Sequence, residues 1–145
     1  MNLMRRASEL QKQAHCIIKI LKLKERWEKV GEVTLSGSVR FGLMVQPDID
    51  MQVYTDEPHP DAGFKVVAEI AEVPGIEQMS FRNQLDDQED PGLYWYMQYH
   101  DNLNQDWSID VWVVSRDHPF AYHPERFADV ICARLDEELR ITILE

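Results

Sequence analysis

Apolar residues recur every three to four positions along residues 3–29, at Leu10, Ala14, Ile17 and Leu21, in a stretch free of Gly and Pro. That period predicts one long helix ending before Gly31. The period then changes. Val33-Thr34-Leu35 reads as a short strand, and Ser36-Gly37-Ser38 breaks it. A short helix is predicted over 38–45. Residues 48–54 alternate polar and apolar and predict a second strand. After a turn with two prolines, residues 64–72 predict a helix with Phe64, Val67, Ala68 and Ala71 on one side.

Pro74-Gly75 marks a turn, residues 76–81 a strand, and residues 83–92 an acidic loop. The aromatic and β-branched runs 93–99 and 107–114, separated by the polar run 101–106, predict an antiparallel hairpin. Another loop spans 116–124. A final helix is predicted over 124–144, with Phe127, Val130, Ile131, Leu135 and Leu139 as its buried stripe. It runs to the last residue without a capping or breaking signal, as a helix cut short would. The fold class that follows is α/β or α+β, a mixed β-sheet flanked by helices. The chain reads as one domain over 1–145, made of an N-terminal basic helix (1–30), a sheet region (31–115) and a C-terminal helix (124–145).

Composition narrows the function. With 145 residues, 44% hydrophobic and 28% charged, the chain has the makings of a globular core. No apolar run approaches a membrane span and no signal sequence opens the chain, so a soluble cytoplasmic protein is expected, with no membrane partner. Cys16 and Cys132 form no CxxC pair and are expected as reduced, part-buried thiols. The net charge of −11 is unevenly spread: residues 1–30 hold eight Lys/Arg against three Glu, and the remainder holds seven against 23 acids. The acidic body argues against a duplex-DNA binder. It suits a site where divalent cations screen carboxylates. The basic first stretch reads as a solvated helix face.

The chemistry concentrates in Gly37-Ser38-Val39-Arg40-Phe41-Gly42 and Asp48-Ile49-Asp50. Residues two apart in a strand share a face, so Asp48 and Asp50 project together while Ile49 and Met51 point to the core. Paired carboxylates repel unless a cation lies between them, and a hard cation such as Mg²⁺ (or Mn²⁺) is the natural partner. A third acid, Asp110, interrupts the apolar strand Trp107–Val114. If its strand neighbours the Asp48–Asp50 strand, three carboxylates can hold up to two metals about 3.5–4 Å apart, the arrangement that clamps a transferring phosphoryl group. Gly37 lets the backbone approach a phosphate, Ser38 offers a hydroxyl, and Arg40 a charge-assisted contact. Trp95, Tyr96, Trp107 and Trp112 read as core or rim of the hairpin, where one can stack on a base. His100, His118 and His123 share no ligand spacing and read as loop residues.

Gly-Ser, then Asp-x-Asp eleven residues after the glycine, then an acid in a later strand, resembles the polymerase-β-like nucleotidyltransferase superfamily. Gly37, Ser38, Asp48, Asp50 and Asp110 match its pattern, and Gly42 matches the second glycine of Gly-Ser-x-x-x-Gly. Pro47 stands where many small members carry Ser. The sixty-residue step from Asp50 to Asp110 is nearer the antibiotic-modifying branch than the minimal, antitoxin-like one. The resemblance implies two Mg²⁺ ions and transfer of a nucleoside monophosphate, often AMP, from ATP or another nucleoside triphosphate to a hydroxyl. Asp48, Asp50 and Asp110 would then be catalytic and metal-binding, and Gly37, Ser38 and Arg40 nucleotide-binding. Nothing in the sequence identifies the acceptor. A catalytically weak nucleotide-binding or partner-binding module on the same fold is the second reading, and an antitoxin-like protein the third.

Overall fold

The computed structural model describes residues 2–134. Its elements, in chain order, are α1 (Leu3–Ile20), α2 (Leu23–Trp27), β1 (Glu32–Ser36), α3 (Gly37–Phe41), β2 (Asp48–Thr55), α4 (Pro60–Ala71), β3 (Ile76–Asn83), β4 (Leu93–His100), β5 (Asp106–Ser115) and α5 (His123–Arg134). The strands form one sheet in the order β1-β2-β5-β4-β3. Every pairing is antiparallel except β2 with β5, which is parallel. The mixed sheet with flanking helices is the predicted fold class.

The alternation seen in the sequence sets the two faces of the sheet. Ile49, Met51 and Val53 of β2, Ile109, Val111 and Val113 of β5, and Leu93, Trp95 and Met97 of β4 are buried, and they join Leu10, Ala14 and Ile17 of α1 and Val66, Val67 and Ile70 of α4 in one apolar cluster. The opposite face carries the intervening residues of the same strands, among them Asp50, Gln52, Asp110 and Trp112, which are only part-buried. One face is therefore a core, and the other is a half-open polar floor.

The long N-terminal helix is broken. Lys22 adopts φ 51°, and α2 starts afresh at Leu23. Leu21 and Leu23 are both fully buried. Two residues apart on one helix would lie about 200° apart around the axis, so a continuous helix cannot bury both on one side. The turn at Lys22 lets both reach the core, and Trp27 with them.

Helix α4 begins four residues earlier than predicted, with Pro60 in its first turn. Its buried side is Gly63, Val66, Val67 and Ile70. Of the predicted stripe only Val67 is buried; Phe64 is 44% exposed, and Ala68 and Ala71 are exposed. The cause is Gly63: a Cβ there would lie 2.2 Å from the Trp95 ring, so α4 sits against Trp95 at the one residue without a side chain.

Helix α5 also differs from its predicted packing. Phe127 and Val130 are 66% and 49% exposed, and the buried residue in its first turn is Glu125. Thr34 donates to Glu125 Oε1 at 2.6 Å and the Tyr54 hydroxyl lies within 3.0 Å of both Glu125 oxygens, so polar bonds rather than an apolar stripe dock this turn on the sheet. The side chains of Ile131, Leu135 and Leu139 lie outside the described residues, as does that of Cys132. Cys16 is exposed rather than part-buried, because it lies on α1 away from the stripe Ala7, Leu10, Ala14 and Ile17. Among the described residues no helix is long and apolar enough to cross a membrane.

Candidate active site

The polar floor is assembled in rows by the strand register. Asp50 is paired with Asp110 across β2 and β5, and with Ser36 across β1 and β2. One row below, Asp48 is paired with Ser108; one row above, Gln52 is paired with Trp112. Tyr96 of β4 completes the Asp110 row and Tyr94 the Trp112 row. The adjacency of the Asp48–Asp50 strand and the Asp110 strand, the condition on which the three-carboxylate reading of the sequence depends, follows from this parallel pairing.

The carboxylates crowd one another. Asp50 is pushed up to about 6, first by burial and then by the charges of Asp110 and Asp48 and a hydrogen bond to Asp110. Asp48 is also raised, by burial and then by Asp110. Charges of one sign in a partly dry site favour protonation unless a cation is supplied. The clustering is not a closed cage: among the described residues, the trio whose ligand atoms all lie within 4.8 Å of one another is Glu77, His100 and Asp106, not the three aspartates. Asp110 is held from the side. The Tyr94 hydroxyl donates to its Oδ1, the Tyr94 ring packs tilted by 35° against Trp112 with centroids 4.8 Å apart, and the Arg82 guanidinium lies 5.7 Å from the same ring. Burial and the Asp110 carboxylate raise the Tyr94 hydroxyl well above its usual range, which keeps it a donor.

Gly37 has two reasons to be glycine. Its φ is +64°, and a Cβ would lie 2.5 Å from Asp50 Oδ2. The Gly37–Ser38 backbone therefore passes directly beside the Asp50 carboxylate. Helix α3 ends at Gly42, also in the left-handed region with φ 77°. Arg40 faces another way. Its Nε and Nη2 donate to the two carboxylate oxygens of Asp129 at 2.9 Å each, and its Nη1 donates to the Leu35 carbonyl. The guanidinium ties α3 to α5 and to the edge of β1.

Two groups escaped the sequence reading. His100, expected in a loop, is the last residue of β4, with Nδ1 at 2.7 Å from Asp106 and 3.7 Å from Glu77. Both carboxylates converge on one ring nitrogen, and the bond to Asp106 raises the imidazole above its usual range. The trio is thus an ion-pair cluster at the hairpin end of the sheet. His118 is 8% exposed, and its Nδ1 accepts from the Phe120 N–H while Nε2 lies 2.8 Å from Asp90 Oδ1. Tyr94 and Trp112 were legible only as aromatic; their polar-face parity matches Asp110, two residues before Trp112.

No family model matches the chain, and no curated protein matches it. Solved structures do match. The fold is similar to that of a mutant of the Cid1 poly(U) polymerase bound to MgATP, with a TM-score of 0.64 and 17% identity over 94% of this chain and 41% of that one. The MgGTP-bound form of the same polymerase gives a TM-score of 0.62 at 17% identity, over 94% of this chain and 41% of that one. A cytoplasmic RNA terminal U-transferase gives 0.60 at 16% identity, over 92% and 38%. The chain spans 41% or less of the length of these proteins, and the likeness is one of fold: a nucleotidyltransferase-like mixed sheet with flanking helices.

Proposed function

We propose that this chain carries a metal-dependent nucleotidyltransferase site, which moves a nucleoside monophosphate, AMP from ATP in the first instance, to a hydroxyl acceptor. The observation that carries the reading is the in-register facing of Asp50 and Asp110 with Gly37 against Asp50. The raised state of Asp50 and Asp48 supports it, because crowded acids of this kind await positive charge. The Cid1 poly(U) polymerase structures with this fold hold MgATP and MgGTP, which fits the same ligand class.

Asp48, Asp50 and Asp110 would hold Mg²⁺ or Mn²⁺, one ion or two. When bound, the ions would offset charge on the triphosphate and on the departing pyrophosphate. The other tasks fall to the chain's own groups. The Gly37–Ser38 backbone and the Ser38 hydroxyl receive the β- and γ-phosphates. Asp110, oriented by the Tyr94 hydroxyl on its Oδ1, would offer its carboxylate to the ion or to the acceptor's proton once the ion replaces its contact with Asp50. Arg40 is assigned to bracing α3 against α5 rather than to phosphate, since Asp129 already occupies its fork.

The test is turnover of α-labelled ATP with Mg²⁺ or Mn²⁺, beside a thermal-shift titration of the same ligands. A catalytically weak nucleotide-binding module would show the stabilisation without turnover. Absence of both would remove the reading.

A further inference from the structure

A cavity of about 440 Å³ opens on the polar floor one register row beyond the aspartates. Its floor is the pair Gln52 and Trp112, each two residues past Asp50 and Asp110 on the same strand. Residues two apart along a strand are separated by roughly 6.6 Å, so the cavity begins within one small-molecule length of the carboxylates. Phe120, 56% exposed, forms a second aromatic wall. Glu89 and Asp90 form the rim. The volume is in the range of small-molecule sites.

The cavity and the Gly37–Ser38 turn lie on opposite sides of the Asp50–Asp110 row. β1 runs antiparallel to β2 with Ser36 opposite Asp50, so the chain after Ser36 continues toward Asp48, whereas the cavity lies toward Tyr54 and the C-terminal ends of β2 and β5. Phosphoryl displacement is roughly in line, with the attacking and leaving oxygens on opposite sides of phosphorus. If pyrophosphate departs on the Gly37–Ser38 side, the attacking hydroxyl must arrive from the cavity side, across the row that holds Asp110.

The rim has a definite charge. His118 Nδ1 accepts the Phe120 N–H, and its Nε2 lies 2.8 Å from Asp90 Oδ1, so the ring holds Asp90 at the cavity edge. The Asp90 carboxylate stands beside that of Glu89. Among the described residues, no lysine or arginine lines the cavity. The rim is also held in place: Asp87 accepts from the Glu89 and Asp90 N–H groups, and Gln84 and Gly92 exchange backbone bonds across the loop. Two aromatic walls with a fixed anionic rim favour a cation and repel an anion.

We propose that this cavity is the acceptor site, and that it takes a small hydroxyl-bearing molecule with a flat or apolar body and a positive charge, not a polyanion. The inference rests on the nucleotidyltransferase reading above. In the step it implies, the acceptor oxygen forms a bond to the α-phosphorus of the nucleoside triphosphate. The α–β bridging P–O bond breaks, and its electron pair leaves with pyrophosphate. The hydroxyl proton passes to the Asp110 carboxylate.

Ligand-observed NMR with three matched probes tests the site: tyramine, its neutral counterpart tyrosol and its anionic counterpart 4-hydroxyphenylacetate. Each is titrated with Mg²⁺ and a non-hydrolysable ATP analogue present, and stabilisation by Mg²⁺–ATP alone is recorded separately. Tyramine is expected to bind about threefold to fivefold more tightly than tyrosol, and 4-hydroxyphenylacetate more weakly than either. In a Glu89→Gln/Asp90→Asn variant the preference for the amine should vanish while tyrosol affinity stays. Glu89→Gln alone serves if the double variant does not fold, because among the described residues the Glu89 carboxylate makes no hydrogen bond; it should shrink the preference. Binding of the carboxylate as tight as that of the amine, or an unchanged preference in the variants, would overturn the inference. So would failure of all three probes to bind while Mg²⁺–ATP still stabilises the protein. Loss of the Mg²⁺–ATP stabilisation itself would instead count against the reading beneath it.

Discussion

Asp50 and Asp110 face each other in register across the one parallel pairing of the sheet, and each is followed two residues on by a wall of the same cavity, Gln52 and Trp112. A parallel pairing brings together segments distant in sequence. Here it joins strands sixty residues apart and turns two unremarkable acids into a crowded pair. The consequences are measurable.

Stability without metal should fall as pH rises from about 4 to about 7. The folded Asp50 sits at about 6, above its ordinary value of 3.8, so in this window the folded state holds the proton that the unfolded state has lost. The folded state is favoured at the acid end and loses that advantage as pH passes through the folded value. Discounted for partial exposure, the swing is about 1–2 kcal/mol. Chemical denaturation across that range checks it. Asp50→Asn should flatten this part of the profile, and a rise in stability with pH that Asp50→Asn abolishes would contradict the assignment.

Tyr94→Phe keeps the ring on Trp112 and removes only the donor to Asp110. The expected cost in unfolding free energy is small, about 1 kcal/mol. The expected effect on Mn²⁺ affinity, followed by paramagnetic resonance, is larger than that on stability, because Asp110 loses its fixed orientation. Unchanged Mn²⁺ affinity would make Tyr94 a packing residue.

Gly37→Ala should be damaging for two reasons, the left-handed backbone and the clash with Asp50. The conformational part alone costs about 1–2 kcal/mol. Urea unfolding should show at least that loss, together with disappearance of the Mg²⁺–ATP thermal shift. Gly42→Ala, with φ 77° at the end of α3, shares the backbone strain at a position away from the Asp50 contact of Gly37 and should retain part of the shift. Equal loss of the shift in both would put the effect in α3 as a whole.

Arg40→Ala removes the fork on Asp129, an ion pair whose acid is 61% exposed, so the cost should be no more than about 1 kcal/mol. The Mg²⁺–ATP shift should survive. Its loss would return Arg40 to the phosphate site.

Much of this was legible in the sequence because strand parity is a strict code. Asp48 and Asp50 sit on the face opposite Ile49 and Met51, and the pattern alone says so. Asp110 among Ile109 and Val111 was legible for the same reason. Helical stripes were less so. The choice of Phe64, Ala68 and Ala71 failed because the contact of α4 with Trp95 is made through Gly63, and a glycine gives no hydrophobic signal. Phe127 and Val130 failed because the first turn of α5 is docked through Glu125, a buried acid whose partners Thr34 and Tyr54 are more than 70 residues away. The break at Lys22 was hidden by good helix formers on both sides. The cavity depends on a loop fold, in which Asp90 meets His118, that no local spacing encodes.

In the proposed function, triphosphate and metal meet at the aspartates beside Gly37. The most direct test is thermal stability with ATP and Mg²⁺ or Mn²⁺, titrated into the parent protein and into an Asp48→Asn/Asp50→Asn variant. A ligand that binds only the folded state raises stability by an amount set by its concentration relative to its dissociation constant. A metal-dependent rise is expected in the parent and is absent from the variant. No rise with any nucleoside triphosphate in the parent, or an equal rise in both proteins, would contradict it.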